Sequence, residues 1–418
     1  MIGRLWIPTS HSRLLKAQNR LLDHFVDSSL IDLKSYSVSV DENGTKMNVV
    51  EASSAKSNTQ KEKTIVLCHG LGSGLGFFFH QFQDLVRGFD RVIAVDWLGF
   101  GASSRPLCRN APKLRGESWI PSLCESKLQS VEDNVNFFID PLERCLSKLK
   151  LENYILCGHS LGGYLSANFA MKYGDKLSRL ILLSPAGLPP LPSKTIRPKD
   201  LPMAMRLIDS AWSSNVTPGQ IVRAMGHRGP TMVERIVGRR FRSLGWNDEQ
   251  TRVISDYLYH ITAAPGSGEF SMNSLLVPLV RADTARPGVF AREPLVHKMN
   301  FSNRFPVHVL YGDNDWLYHE KECNEAISNL RRDGLEISLN IIPKSGHHLY
   351  LDNPEDVNNF ILTKPNLRDL ENLKVGPQVK QIIRDEFQYI KEMLDFDKKS
   401  HEIFRNWYVD GRIYYHKV

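Results

Sequence analysis

The sequence predicts an α/β protein: a mostly parallel sheet with helices on both faces and an inserted helical cap. Three observations carry this. Six short β-rich runs, KTIVLCHG, RVIAVDW, NYILCGHS, RLILLSP, VHVLYGD and ISLNIIP, recur with helix-compatible stretches between most of them, which is how a parallel α/β sheet is written along a chain. That rhythm breaks after LSPAGLPPLP, where the chain turns to helices rich in Arg, Met and Trp, and resumes at VHVLYGD. Finally, 418 residues with 42% hydrophobic content can bury a large core, enough for one big domain with an inserted or appended piece.

In chain order, residues 1–58 are expected to hold an N-terminal amphipathic helix and an entry segment. Between Met1 and Leu22 there are four Lys or Arg and no acid, and Leu14, Leu15, Leu21, Leu22 and Phe25 can share one helical face. Three roles fit that pattern: packing on the core, contact with a membrane surface, or a mitochondrial presequence. Residues 59–190 are the first part of the sheet domain, 191–300 the helical cap, and 301–363 the second part of the sheet domain. Residues 364–418 read as a helical extension in which VKQIIRDEFQYIKEML is amphipathic. Between Pro106 and Ser130 runs a long polar and basic loop with an isolated Trp119, read as a surface excursion with an interfacial role as the alternative.

Composition narrows the functional classes. The net charge of +7 is spread among apolar residues instead of forming a polybasic tail, which excludes nucleic acid as the expected partner and favours anionic lipid. No apolar run approaches the roughly 18 residues of a membrane span. The six cysteines lack C-x-x-C pairs, as expected of a reducing compartment. No metal cluster or cofactor fingerprint is evident.

The chemistry concentrates at strand ends. In NYILCGHSLGGYLSANFAMKYG a strand enters Gly158-His159-Ser160-Leu161-Gly162 and a helix leaves it, the context of a nucleophile elbow. The glycines let strand and helix approach closely around a strained serine. A serine hydroxyl needs a base, and the base needs an acid to hold its tautomer, in the chain order Ser, acid, His. YGDNDW supplies Asp313 and Asp315 after one strand, and SGHHLYLD supplies His347 and His348 after the next. In HGLGSGLG, directly after TIVLC, the backbone N–H of Leu71 can pair with that of Leu161 as an oxyanion hole. A phosphate-cradling loop is the weaker reading of this run, which lacks the Lys-Ser/Thr ending. DWLGFGASSRP, from Asp96 to Pro106, is turn-forming and expected to be structural.

With HG at 69, D-x-x-G-x-G-x-S from Asp96, GHSLGG at 158 and GHHLYLD at 346, the chain resembles an α/β-hydrolase. WIPTS, SSRP, LSPAGLP, NVTPGQIVR, YLYHITAAPGSGE and AREPL carry a narrower likeness. They resemble the lipid-droplet lipase-coactivator family, which includes N-acylphosphatidylethanolamine lipase, a fungal cardiolipin deacylase and soluble lysophosphatidic acid acyltransferases. The resemblance implies Ser160 as nucleophile, His347 as base with His348 a bystander, and Asp315 over Asp313 as the acid. Coactivator members have lost the serine, whereas Ser160 is present here.

His347 to Asp352 also spells H-x-x-x-x-D, which this family associates with acylation of lysophosphatidic acid. The alternative is that Asp352 opens the last helix in DNPEDV. Among the arginines of the cap segment, Arg239 and Arg240 are the candidates for reading an anionic headgroup, with a solvated helix face the commoner explanation of such charge.

The resulting expectation is a serine-dependent acyl hydrolase or acyltransferase acting on phospholipids or lysophospholipids through an acyl-Ser160 intermediate. It needs no cofactor, and acyl-CoA enters only as a substrate. The expected setting is cytosolic and peripheral to lipid droplets or organelle membranes, with mitochondria as the other location. The competing classes are a non-catalytic lipid-droplet adaptor with a lipase partner, and a small-molecule esterase or carbon-carbon hydrolase.

Overall fold

The computed structural model describes residues 8–54, 63–106, 130–242, 244–285, 287–300 and 305–363. The expected 364–418 extension and the loop bearing Trp119 lie outside the described residues.

Strands β1 (Ile31–Ser39), β2 (Lys46–Ser54), β3 (Thr64–Cys68), β4 (Arg91–Val95), β5 (Tyr154–His159), β6 (Leu177–Leu183), β9 (Val307–Gly312) and β10 (Ile337–Ile342) build one eight-stranded sheet in the order β1-β2-β4-β3-β5-β6-β9-β10. Pairing is parallel from β4 to β10, while β1/β2 and β2/β4 are antiparallel. After β3 the chain steps to β4 on one side and then to β5 on the other. The carboxyl ends of β3 and β5 therefore flank a topological switch point, the position at which open α/β sheets open a crevice.

Alternate side chains of each strand leave on opposite faces. Val66, Cys68, Leu156, Leu180 and Leu182 join one buried cluster with α3 (Val131–Lys148), α4 (Leu161–Tyr173) and α10 (Glu320–Arg332). Ile65, Leu67, Cys157, Ile181 and Leu183 join the other, with α1 (His11–Phe25), α2 (Phe79–Leu85) and α12 (Pro354–Thr363). Both faces are covered, so β3, β5 and β6 are buried throughout.

Between β6 and β9 the chain forms α5 (Met203–Ser213), α6 (Pro218–Ala224), α7 (Gly229–Arg242), α8 (Asp248–Ala263) and the short α9 (Met272–Leu275). This insert is not purely helical, as its sequence suggested. β7 (Leu276–Val280) and β8 (Pro287–Ala291) pair as an antiparallel ribbon within it. The entry segment before residue 58 carries β1 and β2, which extend the main sheet there.

Helix α1 starts where Ser10 Oγ accepts the Arg13 N–H (3.2 Å). Its face carrying Leu14, Ala17, Leu21 and Leu22 is buried in the second cluster, with Leu15 and Phe25 packed at the edge. This is the core-packing role among the three that its sequence allowed.

Candidate active site

The elbow follows from β5 running straight into α4. Ser160, between them, holds φ +55° and ψ −120°, a strained conformation for a residue with a Cβ. It persists because its N–H donates to Leu183 O (2.9 Å) while its carbonyl accepts from Ala186 N (3.1 Å) and Tyr164 N (3.1 Å). Glycine is required alongside. A Cβ on Gly162 would sit 2.3 Å from His69 O and 2.7 Å from Cys68 O, both rigid backbone atoms.

The loops leaving β9 and β10 bring the remaining groups to the serine. His347 Nε2 lies 2.9 Å from Ser160 Oγ and His347 Nδ1 lies 3.0 Å from Asp315 Oδ1. A carboxylate only accepts, so Nδ1 carries the proton and Nε2 is left to accept from the serine. Asp315 is fixed in turn by the Leu317 N–H, which donates to Oδ1 (2.9 Å). Asp313 does different work: it accepts from Lys344 N (2.9 Å) and Ser345 N (3.0 Å), stitching the β9 exit to the β10 exit. Its slight burial acts to raise its pKa, but those backbone donors outweigh it and hold the carboxyl below its ordinary value. His348 does not touch the serine and packs its ring against His159 (5.1 Å) and His347 (5.5 Å).

The HG loop closes the opposite side. A Cβ on Gly70 would stand 2.9 Å from Ser160 Cβ, so the Gly70–Leu71 peptide lies directly against the elbow. Leu161, the first residue of α4, has an N–H with no acceptor inside the helix. His69 shapes this loop: its Nε2 accepts from Trp97 N (3.2 Å), so its Nδ1–H donates to Gly70 O (2.8 Å). Beneath it, the buried Asp96 accepts from Leu75 N (2.8 Å), Ala102 N (2.8 Å) and Asn48 Nδ2 (2.7 Å).

A cavity of about 300 Å³ opens between the HG loop and the cap. Leu71 and Ser73 form one end, and Trp212, Val216, Ile261 and Met272 line the cap side. Arg105 ties the two layers together beside it. Its guanidinium donates to Gly99 O (3.1 Å) and Gly101 O (3.0 Å) on the sheet side, and to Ile261 O (3.3 Å) and Pro265 O (2.8 Å) in the cap. Sequence reading missed this arginine as a joint, although SSRP marked its position. It also missed Trp316, about half exposed, whose ring stands 5.0 Å from that of His347 at the rim of the site.

The structure separates Arg239 from Arg240. Arg239 is exposed on α7, whereas Arg240 pairs with the Asp352 carboxylate. Asp352 ends the short α11 (Leu349–Asp352) and does not open the last helix, whose first turn is capped by Asn353 Oδ1 accepting from Asp356 N (3.3 Å). Among the described residues, no group of three His, Cys, Asp or Glu side chains could hold a metal ion.

Three histidines are held neutral. Burial, reinforced by His347 and then by Arg240, pushes His348 down to about 3. Burial also holds His159 well below its ordinary value, with His347 and His348 adding to it, and burial lowers His69 despite the adjacent Asp96. In the unfolded chain these rings protonate near pH 6.5. Below that pH the unfolded state binds more protons, so stability is level above about 6.5 and falls as the pH drops toward 3. Thermal melts are expected to shift downward between pH 7.5 and 5, with a slope of at most about 1.4 kcal/mol per pH unit for each histidine. His348→Asn is expected to flatten part of that slope. A melting temperature independent of pH across this window would contradict the assignment.

The family described as alpha/beta hydrolase fold matches residues 63–354. A "Probable 1-acylglycerol-3-phosphate O-acyltransferase" of Oryza sativa subsp. japonica is 30% identical over 84% of this chain and 80% of its own length. The "1-acylglycerol-3-phosphate O-acyltransferase ABHD5" of Sus scrofa is 29% identical over 72% and 77%. A "(Lyso)-N-acylphosphatidylethanolamine lipase" of Bos taurus is 27% identical over 70% and 76%. Among solved structures, epoxide hydrolase VrEH1 from Vigna radiata is similar in fold (TM-score 0.51, 17% identity, 80% of this chain and 97% of that chain). A bacteriophage T4-like portal protein family also matches residues 356–418, too short a share of the chain to place it there. The chain belongs to the α/β-hydrolase family, and within it to the group whose relatives bear these acyltransferase and lipase names.

Proposed function

We propose that the chain is a serine-dependent lipid acyl enzyme, taking an acyl group from a phospholipid or acyl-CoA onto Ser160 and releasing it to water or to a lysophospholipid. The observation that carries this reading is the hydrogen-bonded series Ser160 Oγ, His347 and Asp315, at 2.9 and 3.0 Å, next to a cavity that Leu71 of the HG loop helps to line and whose wall surface is mainly apolar. His347 Nε2 takes the hydroxyl proton as Oγ attacks the ester carbonyl. The N–H groups of Leu71 and Leu161 receive the developing oxyanion. His347 then returns the proton to the departing alcohol of the phospholipid, or to the thiol of CoA, leaving acyl-Ser160. The same imidazole next deprotonates either water or the lysophospholipid hydroxyl, so one set of groups serves hydrolysis and transfer.

The cap supports a lipid-surface setting. Helix α5 has no buried residue, and Met203, Leu207 and Ile208 stand 70, 66 and 61% exposed beside the exposed Lys199 and Arg206. Its Trp212 reaches inward to the cavity wall. An apolar face with basic flanks, on a helix that also contributes Trp212 to the cavity wall, is what supports that setting.

The test is mass spectrometry of products from purified protein on labelled phospholipid vesicles, with and without lysophosphatidic acid and acyl-CoA. Serine-dependent free fatty acid, phosphatidic acid, or both is the expected result. Acyl transfer to neither acceptor, with stimulation of an added lipase by Ser160→Ala protein, would replace this reading with that of an adaptor.

A further inference from the structure

Asp352 stands where one side chain can govern another. Its side chain is only 5% exposed, and its two oxygens are divided between two elements. Oδ2 accepts the N–H of Gly346 (2.9 Å), the residue immediately before His347. Oδ1 pairs with Arg240, which projects from α7 of the cap across 112 residues of sequence. The carbonyl of His347 is itself held by His159 Nε2–H (2.9 Å). The backbone of the histidine is thus gripped on its N-terminal side by Asp352 and on its C-terminal side by the elbow. No hydrogen bond joins Asp352 to Ser160 or to the His347 ring.

We propose that Asp352 is a positioning residue for His347, and that its ion pair with Arg240 latches the cap to the loop carrying the base. The inference rests on the acyl-Ser160 reading for its catalytic consequence, but the latch itself is a structural statement. It reassigns the H-x-x-x-x-D spelling: the aspartate sets the geometry of the histidine for hydrolysis and transfer alike, and does not handle the acyl acceptor. It also reassigns Arg240, whose guanidinium serves the latch instead of a lipid phosphate. A carboxylate is suited to this because it accepts in two directions at once, from a backbone amide and from a planar cation.

The experiment uses the full chain as wild type, Asp352→Ala, Asp352→Asn and Arg240→Ala. Amide deuterium exchange of the peptide spanning Gly346, the rate of Ser160 labelling by a fluorophosphonate, and the ratio of phosphatidic acid to free fatty acid are measured on each. Asp352→Ala is expected to speed exchange at Gly346 at least tenfold and to slow labelling by roughly 10–100-fold, the scale of a reacting group displaced by about an ångström. Asp352→Asn keeps an oxygen for the Gly346 N–H and is expected to recover most of the rate. Arg240→Ala, a change at a partly exposed side chain, is expected to give an intermediate loss. The product ratio should stay within about twofold throughout, since both routes use the same base. Unchanged exchange at Gly346 in Arg240→Ala would overturn the latch, and unchanged exchange there in Asp352→Ala would overturn the positioning role. So would a loss confined to phosphatidic acid with labelling and fatty acid release intact, which is the signature of acceptor chemistry. If the wild type is not labelled at all, the acyl-Ser160 reading fails, while the exchange measurement still decides whether the latch exists.

Discussion

Ser160→Ala is expected to abolish fluorophosphonate labelling and to lower acyl release by about 10⁴-fold or more, while leaving the fold intact. The size follows from the arrangement. Ser160, His347 and Asp315 form one continuous hydrogen-bonded series, and groups that act as a unit lose nearly everything when one member is removed. What remains is expected to come from the proposed oxyanion amides and from binding, which survive the change. Stability should hardly move, because the elbow is braced by backbone bonds from Leu183, Ala186 and Tyr164 that alanine retains. Asp315→Asn should approach the same loss by a different route, since an amide stabilises the imidazolium poorly and can hold the wrong tautomer. Intact-protein mass spectrometry after labelling reads the first variant directly. A covalent adduct that persists on Ser160→Ala would mean that another nucleophile carries the chemistry.

Asp96→Ala is expected to lower stability by about 3–5 kcal/mol, seen as a lower urea midpoint. The aspartate is fully buried and satisfies the Leu75 and Ala102 amides and the Asn48 side chain, with Gln18 Oε1 of α1 accepting from the same Asn48 amide (2.8 Å). Alanine leaves those donors dry and unpaired, which is worse than never having buried them. Asp96→Asn, which preserves shape but turns one acceptor into a donor, should fall between. The loop beginning at His69 shares this network, so acyl chemistry should weaken along with stability. A urea midpoint equal to that of the wild type would show that the HG loop is held independently of Asp96.

The parts of this fold that were legible in the sequence are those where burial dictates composition. TIVLC, YILCGH and LSRLILL lie inside the sheet with both faces covered, so each reads as a nearly unbroken apolar run. β1 was illegible for the opposite reason: at the sheet edge, IDLKSYSVS is largely polar and partly exposed, and nothing local distinguishes it from a loop. β7 contains Pro278, which argues against a strand until its ribbon partner is seen. Ser160 and its glycines were legible because the elbow makes steric demands on neighbours in sequence. Strand-end placement alone left Asp313 and Asp315 equal, because both leave the same strand; the family resemblance pointed to Asp315, and in the structure it is Asp315 that meets His347 while Asp313 meets the Lys344 and Ser345 amides. The Arg240–Asp352 pair lay beyond any local pattern, joining the cap to the last loop of the sheet domain.

Arg105 has a mechanical consequence. A guanidinium that divides its donors between carbonyls of the 99–101 turn and carbonyls at the end of α8 is a rivet between two plates. Burial draws its pKa down to about 10, so it stays cationic at neutral pH and keeps its grip. At that edge the cavity has no hinge. Its width there is a dimension set when the chain folds, not by whatever enters.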